Sequence, residues 1–158
     1  MGIIRRQEMK KSAKKKTKKK GVQYWKKKAW DAFSVYVRLR DAIATTKTKH
    51  TALCCSCGKA YPAFGGGCGQ AGHFIPGRSH SLLFREKGVH FQCFNCNQTL
   101  KGNWVEYEKF MLRKYGIHVT QKEKDAKYLD VKYTAVQLEE ICNKYKGMYE
   151  ELLTQIKE

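Results

Sequence analysis

Two short cysteine pairs, Cys54 with Cys57 and Cys93 with Cys96, constrain this chain more than any other feature. At Cys-x-x-Cys spacing one tight loop presents two thiolates to a single ion, and four thiolates suit tetrahedral zinc. Four unrelated buried thiols would not explain two pairs at this spacing. The 35 residues between Cys57 and Cys93 exceed what a compact zinc ribbon needs, so a functional excursion is expected inside the metal-closed loop. Cys55, Cys68 and Cys142 are left over. Cys55 or Cys68 could substitute as a ligand, but neither completes another short pair. Seven cysteines, an odd number, behind an N-terminus without the apolar core of a secretory signal argue for metal rather than a disulfide framework and for an intracellular protein.

Charge narrows the partner. The 158 residues carry a formal net charge of +18. Residues 1–21 hold ten Lys/Arg against one Glu, a net +9, and the remainder holds the other +9. Such an excess favours a polyanion. No apolar run is long enough to span a bilayer, so nucleic acid is expected and a membrane is not. The tail has almost no core-forming residues and cannot offset its ordering entropy, so a disordered basic arm is predicted over 1–21. Lys14, Lys15, Lys16, Lys18, Lys19 and Lys20 would meet phosphates there, joined by Arg78 and Lys101 from the rest of the chain.

The remainder, 22–158, is read as one domain. A helix is predicted over 22–44, where Trp25, Ala29, Phe33 and Val37 recur every four residues and Trp30, Tyr36, Leu39 and Ile43 widen the stripe. Its aromatics are expected in the core rather than stacked on bases. A glycine-rich, irregular segment follows within a metal-organised core, 51–116. Asn103 is a candidate N-cap and Gly116 a stop for the next helix. In the C-terminal helical region, 117–158, Thr120 with Glu123 and Thr134 with Gln137 each fit a capping box. The last helix is expected to bury Val136, Ile141, Tyr145, Met148 or Tyr149, and Leu152.

Within the excursion, His73 lies in GHFIP and Asn97 directly follows a zinc-pair cysteine, so bound zinc would fix its position. His80 and His118 are read as ordinary surface or core histidines.

GHFIPG at 72–77 and GVHFQCFNCNQTLKGN at 88–103 resemble the zinc-stapled HNH, or ββα-metal, nuclease module of phage endonuclease-VII-type resolvases. Further marks in order are similar to the NinG/Rap recombination proteins of lambdoid phages: YWKKKAWDAFSVYVRLRD, CCSCG, AGHF, YEKFMLRKYG and LEEICNKYKGMYEELL. The resemblance runs from about Gln23 to the C-terminus and leaves the basic tail outside. It implies an α+β fold, with a small zinc-bound ββα-metal centre flanked by N- and C-terminal helices. It implies a structure-specific endonuclease acting on D-loops and Holliday junctions, in a bacterial host's cytoplasm if the chain is of phage origin. A homodimer would suit cutting both strands of a junction. By the same resemblance Cys54, Cys57, Cys93 and Cys96 hold structural zinc and His73 is the general base. Asn97 is a ligand of a catalytic Mg2+ or Mn2+ ion, and His90 assists at the metal or phosphate. No small-molecule cofactor is implied.

Two positions depart from the common pattern. Many such modules have an acidic metal ligand immediately before the first histidine, where this chain has Gly72, though the NinG/Rap pattern also carries glycine there. An asparagine that orients the histidine's loop is replaced by Gly88. His90, His80, Glu86, backbone carbonyls and waters remain as further candidate ligands, and magnesium tolerates several waters. The competing readings are a non-catalytic zinc-stapled DNA-binding module, which needs only cysteines and basic surface, and an adaptor built on the long last helix. Phosphate attraction alone does not separate DNA from RNA.

Overall fold

The computed structural model describes residues 20–156. Residues 1–19 of the basic arm, with five of its phosphate-binding candidates, Lys14, Lys15, Lys16, Lys18 and Lys19, lie outside the described residues.

Helix α1 spans Val22–Thr46 and buries Ala29, Phe33, Tyr36, Val37, Leu39 and Ala42, the face that its four-residue periodicity predicts. It overruns the expected end because two threonines bond back into it: Thr45 Oγ1 donates to the Asp41 carbonyl at 2.7 Å and Thr46 Oγ1 to the Ala42 carbonyl at 3.0 Å. Lys47 then turns left-handed (φ 61°) and ends the helix.

Two antiparallel two-stranded sheets follow. In the first, β1 (Thr51–Leu53) pairs with β2 (Ala60–Pro62). In the second, β3 (Gln70–His73) pairs with β4 (Val89–Gln92), in the register Gln70↔Gln92, Gly72↔His90 and His73↔Val89. Their connection carries a short helix, α2 (His80–Leu83). A π-helical turn, Asn95–Thr99, leads to α3 (Trp104–Asp125), a 3-10 turn (Ala126–Tyr128) and α4 (Ala135–Gln155).

Helices α1 and α4 pack side by side. Ala29 meets Leu138 and Cys142, and further along Phe33 meets Tyr145 at 4.7 Å between ring centroids, so the two helices run in the same direction. Val89 joins this cluster, while Phe91 packs on Ala42, Ala52 and Ala63. The other face of the β3–β4 pair meets α3, where Phe74, Tyr107, Met111 and Cys55 form a third cluster. The result is a small α+β fold with helices flanking two short sheets.

Three local expectations need correction, and the stop at Gly116 is borne out. Asn103 stands at the start of α3, but its side chain makes no cap; its Nδ2 donates instead to Cys96 Sγ at 3.4 Å. Gly116 ends the first part of α3 with φ 77°, as expected of a stop, and a second helical stretch follows directly after it. The renewed turn therefore starts at Gly116 and not at Thr120, whose hydroxyl sits inside it and donates back to the Gly116 carbonyl at 2.8 Å. Glu123 is drawn off by Arg85 in a two-point ion pair of 2.6 and 2.9 Å, so no capping box forms there. On α4 the Thr134–Gln137 box is present, but Val136 is 64% exposed; Leu138 and Cys142 take the buried phase.

Candidate functional site

The β1–β2 hairpin brings Cys54 and Cys57 into one knuckle, closed by Gly58 N–H donating to the Cys54 carbonyl at 2.8 Å. Cys55 N–H donates to the Phe91 carbonyl at 2.9 Å, which ties that knuckle to β4 and so to Cys93 and Cys96. The sulfurs of Cys54, Cys57, Cys93 and Cys96 all lie within 4.8 Å of one another, with Cys57 and Cys93 at 3.9 Å. Tetrahedral zinc with bonds of about 2.3 Å places its sulfurs roughly 3.8 Å apart, so this donor set fits the ion. Burial raises the Cys54 thiol and pushes Cys96 up to about 12. A dication held among them would compensate the buried negative charge. The Cys96 N–H donates to the Cys93 sulfur and the Asn103 amide to the Cys96 sulfur, which orients two of the four candidate ligands. Cys55 and Cys68 stay outside the cluster, Cys68 facing Arg38 at 3.6 Å. Among the described residues no other group of three or more His, Cys, Asp or Glu donors converges.

Beside the cysteines lies a cavity of about 450 Å³. His73, at the end of β3, and Asn97, in the π-helical turn, both line it. So do Arg78, Lys101 and Trp30. The His73 ring stacks on Trp30 with centroids 5.0 Å apart and planes 15° off parallel, and the Arg78 guanidinium lies 5.1 Å above the indole. Burial lowers the His73 pKa to about 4, with bonding to the Leu83 backbone working against it and Arg78 adding to it. The imidazole is therefore neutral near pH 7. Its Nε2 is enclosed and has no hydrogen-bond partner. Asn97 Nδ2 donates to Gln70 Oε1 at 2.7 Å, which leaves Asn97 Oδ1 facing Gly72.

The missing acidic side chain has a spatial explanation. A β-carbon on Gly72 would lie 2.1 Å from Gln92 Oε1 and 3.1 Å from Asn97 Oδ1. Gln92 is fully buried, and its Nε2 donates to Ser56 Oγ and to the Gly102 carbonyl, each at 2.7 Å. Gln92 Oε1, by contrast, has no partner. Two enclosed, unpartnered groups, His73 Nε2 and this oxygen, thus lie near the same strand end on opposite faces of the sheet. Oxygen donors of this kind suit a hard dication such as Mg2+ or Mn2+. At Gly88 the Arg85–Glu123 pair fills the space, a β-carbon there meeting Glu123 Oε2 at 2.8 Å. The loop is closed by Phe74 N–H donating to the Gly88 carbonyl at 2.8 Å.

His90 is not brought to the cavity. It pairs with Gly72, one residue out of step with His73, so strand alternation turns it to the opposite face. There it is 1% exposed, with Nδ1 at 3.0 Å from Asp41 Oδ2 and Nε2 at 2.9 Å from the Tyr115 hydroxyl. Burial opposes a charge on Asp41, but His90 and Arg40 outweigh it and hold the carboxyl well below its usual range. His90 is thus part of a buried polar network tying α1 to β4 and α3. His80 accepts from Tyr133 N–H at 3.0 Å, Glu86 bonds Tyr145 at 3.0 Å, and His118 is exposed, so none of these joins the cavity.

Lys20 is the one described residue of the arm's phosphate candidates, and its ammonium bonds the Tyr24 hydroxyl at 2.8 Å. Three residues in or next to the site were not anticipated as such: Trp30, read as core; Gln70, which orients Asn97; and Gln92, which lies behind Gly72 and does not line the cavity. The available signal for Gln92 was its position next to Cys93, where zinc would fix the backbone. Among the described residues no helix is long and apolar enough to cross a membrane.

The chain is 28% identical over 136 residues to the ninG protein of Salmonella phage P22, an alignment covering 85% of this chain and 59% of that one. It is 32% identical over 94 residues to the ninG proteins of Escherichia phages lambda and 933W, covering 59% of this chain and 40% and 41% of theirs. The chain thus spans between two fifths and three fifths of the length of these relatives. No solved structure matches it. The family described as "Bacteriophage Lambda NinG protein" matches residues 4–155, which includes most of the basic arm that the motif resemblance left out, and the chain belongs to that NinG family.

Proposed function

We propose that this chain is a divalent-metal-dependent DNA endonuclease that acts on branched recombination intermediates, D-loops and Holliday junctions, during phage recombination in the host cytoplasm. The observation that carries this reading is the convergence of His73 and Asn97, from separate elements, on one cavity bordered by Arg78 and Lys101. Residues 22–158 act as one nuclease unit, with zinc on Cys54, Cys57, Cys93 and Cys96 locking β3, β4 and the π-helical turn into a ββα-metal centre.

In this reading Asn97 Oδ1 holds the catalytic Mg2+ or Mn2+. When bound, the ion stabilises charge on the phosphate and on the leaving oxygen. His73 takes the proton from the attacking water, since its imidazole is neutral near pH 7 and one nitrogen has no protein partner. Stacking on Trp30 holds its ring plane. The water oxygen bonds phosphorus as the P–O bond to the leaving strand breaks. Arg78, Lys101 and the basic arm grip the DNA backbone. A homodimer, two copies each cutting one strand, suits a four-way junction.

The test is pure zinc-loaded protein incubated with four-way junctions, D-loops and linear duplexes, with and without Mg2+ or Mn2+. Metal-dependent cleavage concentrated on the branched substrates is expected. Binding without cleavage under every metal would instead establish a zinc-stapled DNA-binding module.

A further inference from the structure

Gln92 is the residue that the proposed chemistry leaves unexplained. Fully buried side chains almost always satisfy their polar atoms, and Gln92 satisfies only half of its carboxamide. The amide cannot be turned over to cure this. Its Nε2 donates to the Gly102 carbonyl, which can only accept, so the nitrogen must face Gly102 and the oxygen must face Gly72. Asn97 is oriented in the same manner, its Nδ2 committed to Gln70 Oε1, which also receives Gln98 Nε2 at 2.9 Å. Two neutral carboxamide oxygens are thereby left facing one point beside the Gly72 backbone, 2.1 and 3.1 Å from it.

We propose that Gln92 Oε1 is a ligand of the catalytic divalent ion, occupying the position that a carboxylate before the histidine takes in related modules. This rests on the endonuclease reading above and names a donor that the reading lacked. The two oxygens lie no more than about 5 Å apart, so a small adjustment of either side chain brings both within reach of one ion at about 2.1 Å. Gly72 has no side chain because Gln92, reaching diagonally from β4, already occupies the volume. Exchanging carboxylate for carboxamide removes one negative charge from the ion's surroundings. The site should therefore bind its ion more weakly and lean more on the DNA phosphate to complete it.

Two measurements test this on the zinc-loaded protein. In the wild type, the side-chain carbonyl carbons of Gln92 and Asn97 are followed by NMR during a Mg2+ titration. Both should move downfield along one binding curve. Separately, Mn2+ affinity is measured by EPR of the free ion for wild type and for Gln92→Leu and Gln92→Met, with zinc content checked. A loss of tenfold or more at unchanged zinc is expected. If Asn97 responds and Gln92 does not, or if both variants bind Mn2+ as tightly as wild type, Gln92 is not a ligand and the endonuclease reading stands without it. If neither carbonyl responds and wild type binds no Mn2+ beside the zinc, the metal-dependent reading itself fails. The wild-type NMR arm decides even where both variants fail to fold.

Discussion

Gly72 and Gln92 share one volume: the carboxamide oxygen of Gln92 lies 2.1 Å from where a β-carbon on Gly72 would be. Gly72 pairs with His90, and Gln92 sits two residues along β4 on the same sheet face, so its side chain can reach diagonally across. The glycine is required for space and not for backbone conformation, since its φ is not positive.

Gly72→Asp should therefore harm the protein rather than repair a missing ligand. The new β-carbon must displace Gln92 from Ser56 and the Gly102 carbonyl, leaving buried groups unpaired at about 1–3 kcal/mol. Urea denaturation at full zinc occupancy measures this. The double variant Gly72→Asp/Gln92→Ala, which empties the volume first, should relieve the clash and bind Mn2+, while Ser56 and the Gly102 carbonyl stay without their Gln92 partner. A single variant as stable as wild type would contradict the steric account.

Cys93→Ser should lose zinc and stability together. Cys93 shares its sulfur neighbourhood with Cys57 at 3.9 Å and receives the Cys96 N–H, so one change unlinks both knuckles. A melting temperature lower by roughly 10 °C or more is expected, with zinc well below stoichiometric. Stoichiometric zinc at unchanged melting would reject the four-cysteine site.

His73 should stay neutral in mildly acidic solution. Its folded pKa is depressed to about 4 from an ordinary 6.5, chiefly by burial. Folding then excludes a proton that the unfolded chain binds, so this contribution to stability is complete above pH 6.5 and is lost as pH falls toward 4. Its ring resonances should not move between about pH 8 and 5.5. A midpoint near 6.5 would mean that the ring is open to water.

Phosphate contacts should appear in the salt dependence of DNA binding. Arg78→Ala and Lys101→Ala should each lower the log–log slope by about 0.9, and removal of residues 1–21, a net +9, should lower it further without changing preference for branched DNA. An unaltered slope would assign these charges another role.

Much of this was legible in the sequence where a local rule had no rival. The two cysteine pairs, the α1 stripe and the Thr134–Gln137 box needed only spacing, and each is present. Where a long-range partner competed, spacing failed. Asn103 gave up its cap for the Cys96 sulfur, and Glu123 gave up its box for Arg85, 38 residues away. Val136 and Leu138 exchanged places because the partner helix, not the repeat alone, sets the buried phase of α4. His73 and His90 both looked chemical in sequence; only the register, Gly72↔His90, sends them to opposite faces. The role of Gln92 depended on that register as well.

The central claim is that His73 acts on the attacking water while cysteines and basic residues supply scaffold and grip. The direct test is cleavage of a four-way junction by wild type and His73→Ala, at matched zinc content and matched DNA binding, in Mg2+ or Mn2+. Wild type should cut and His73→Ala should lose at least about a hundredfold in rate. Equal cleavage by the two proteins would contradict the assignment of His73 as the base.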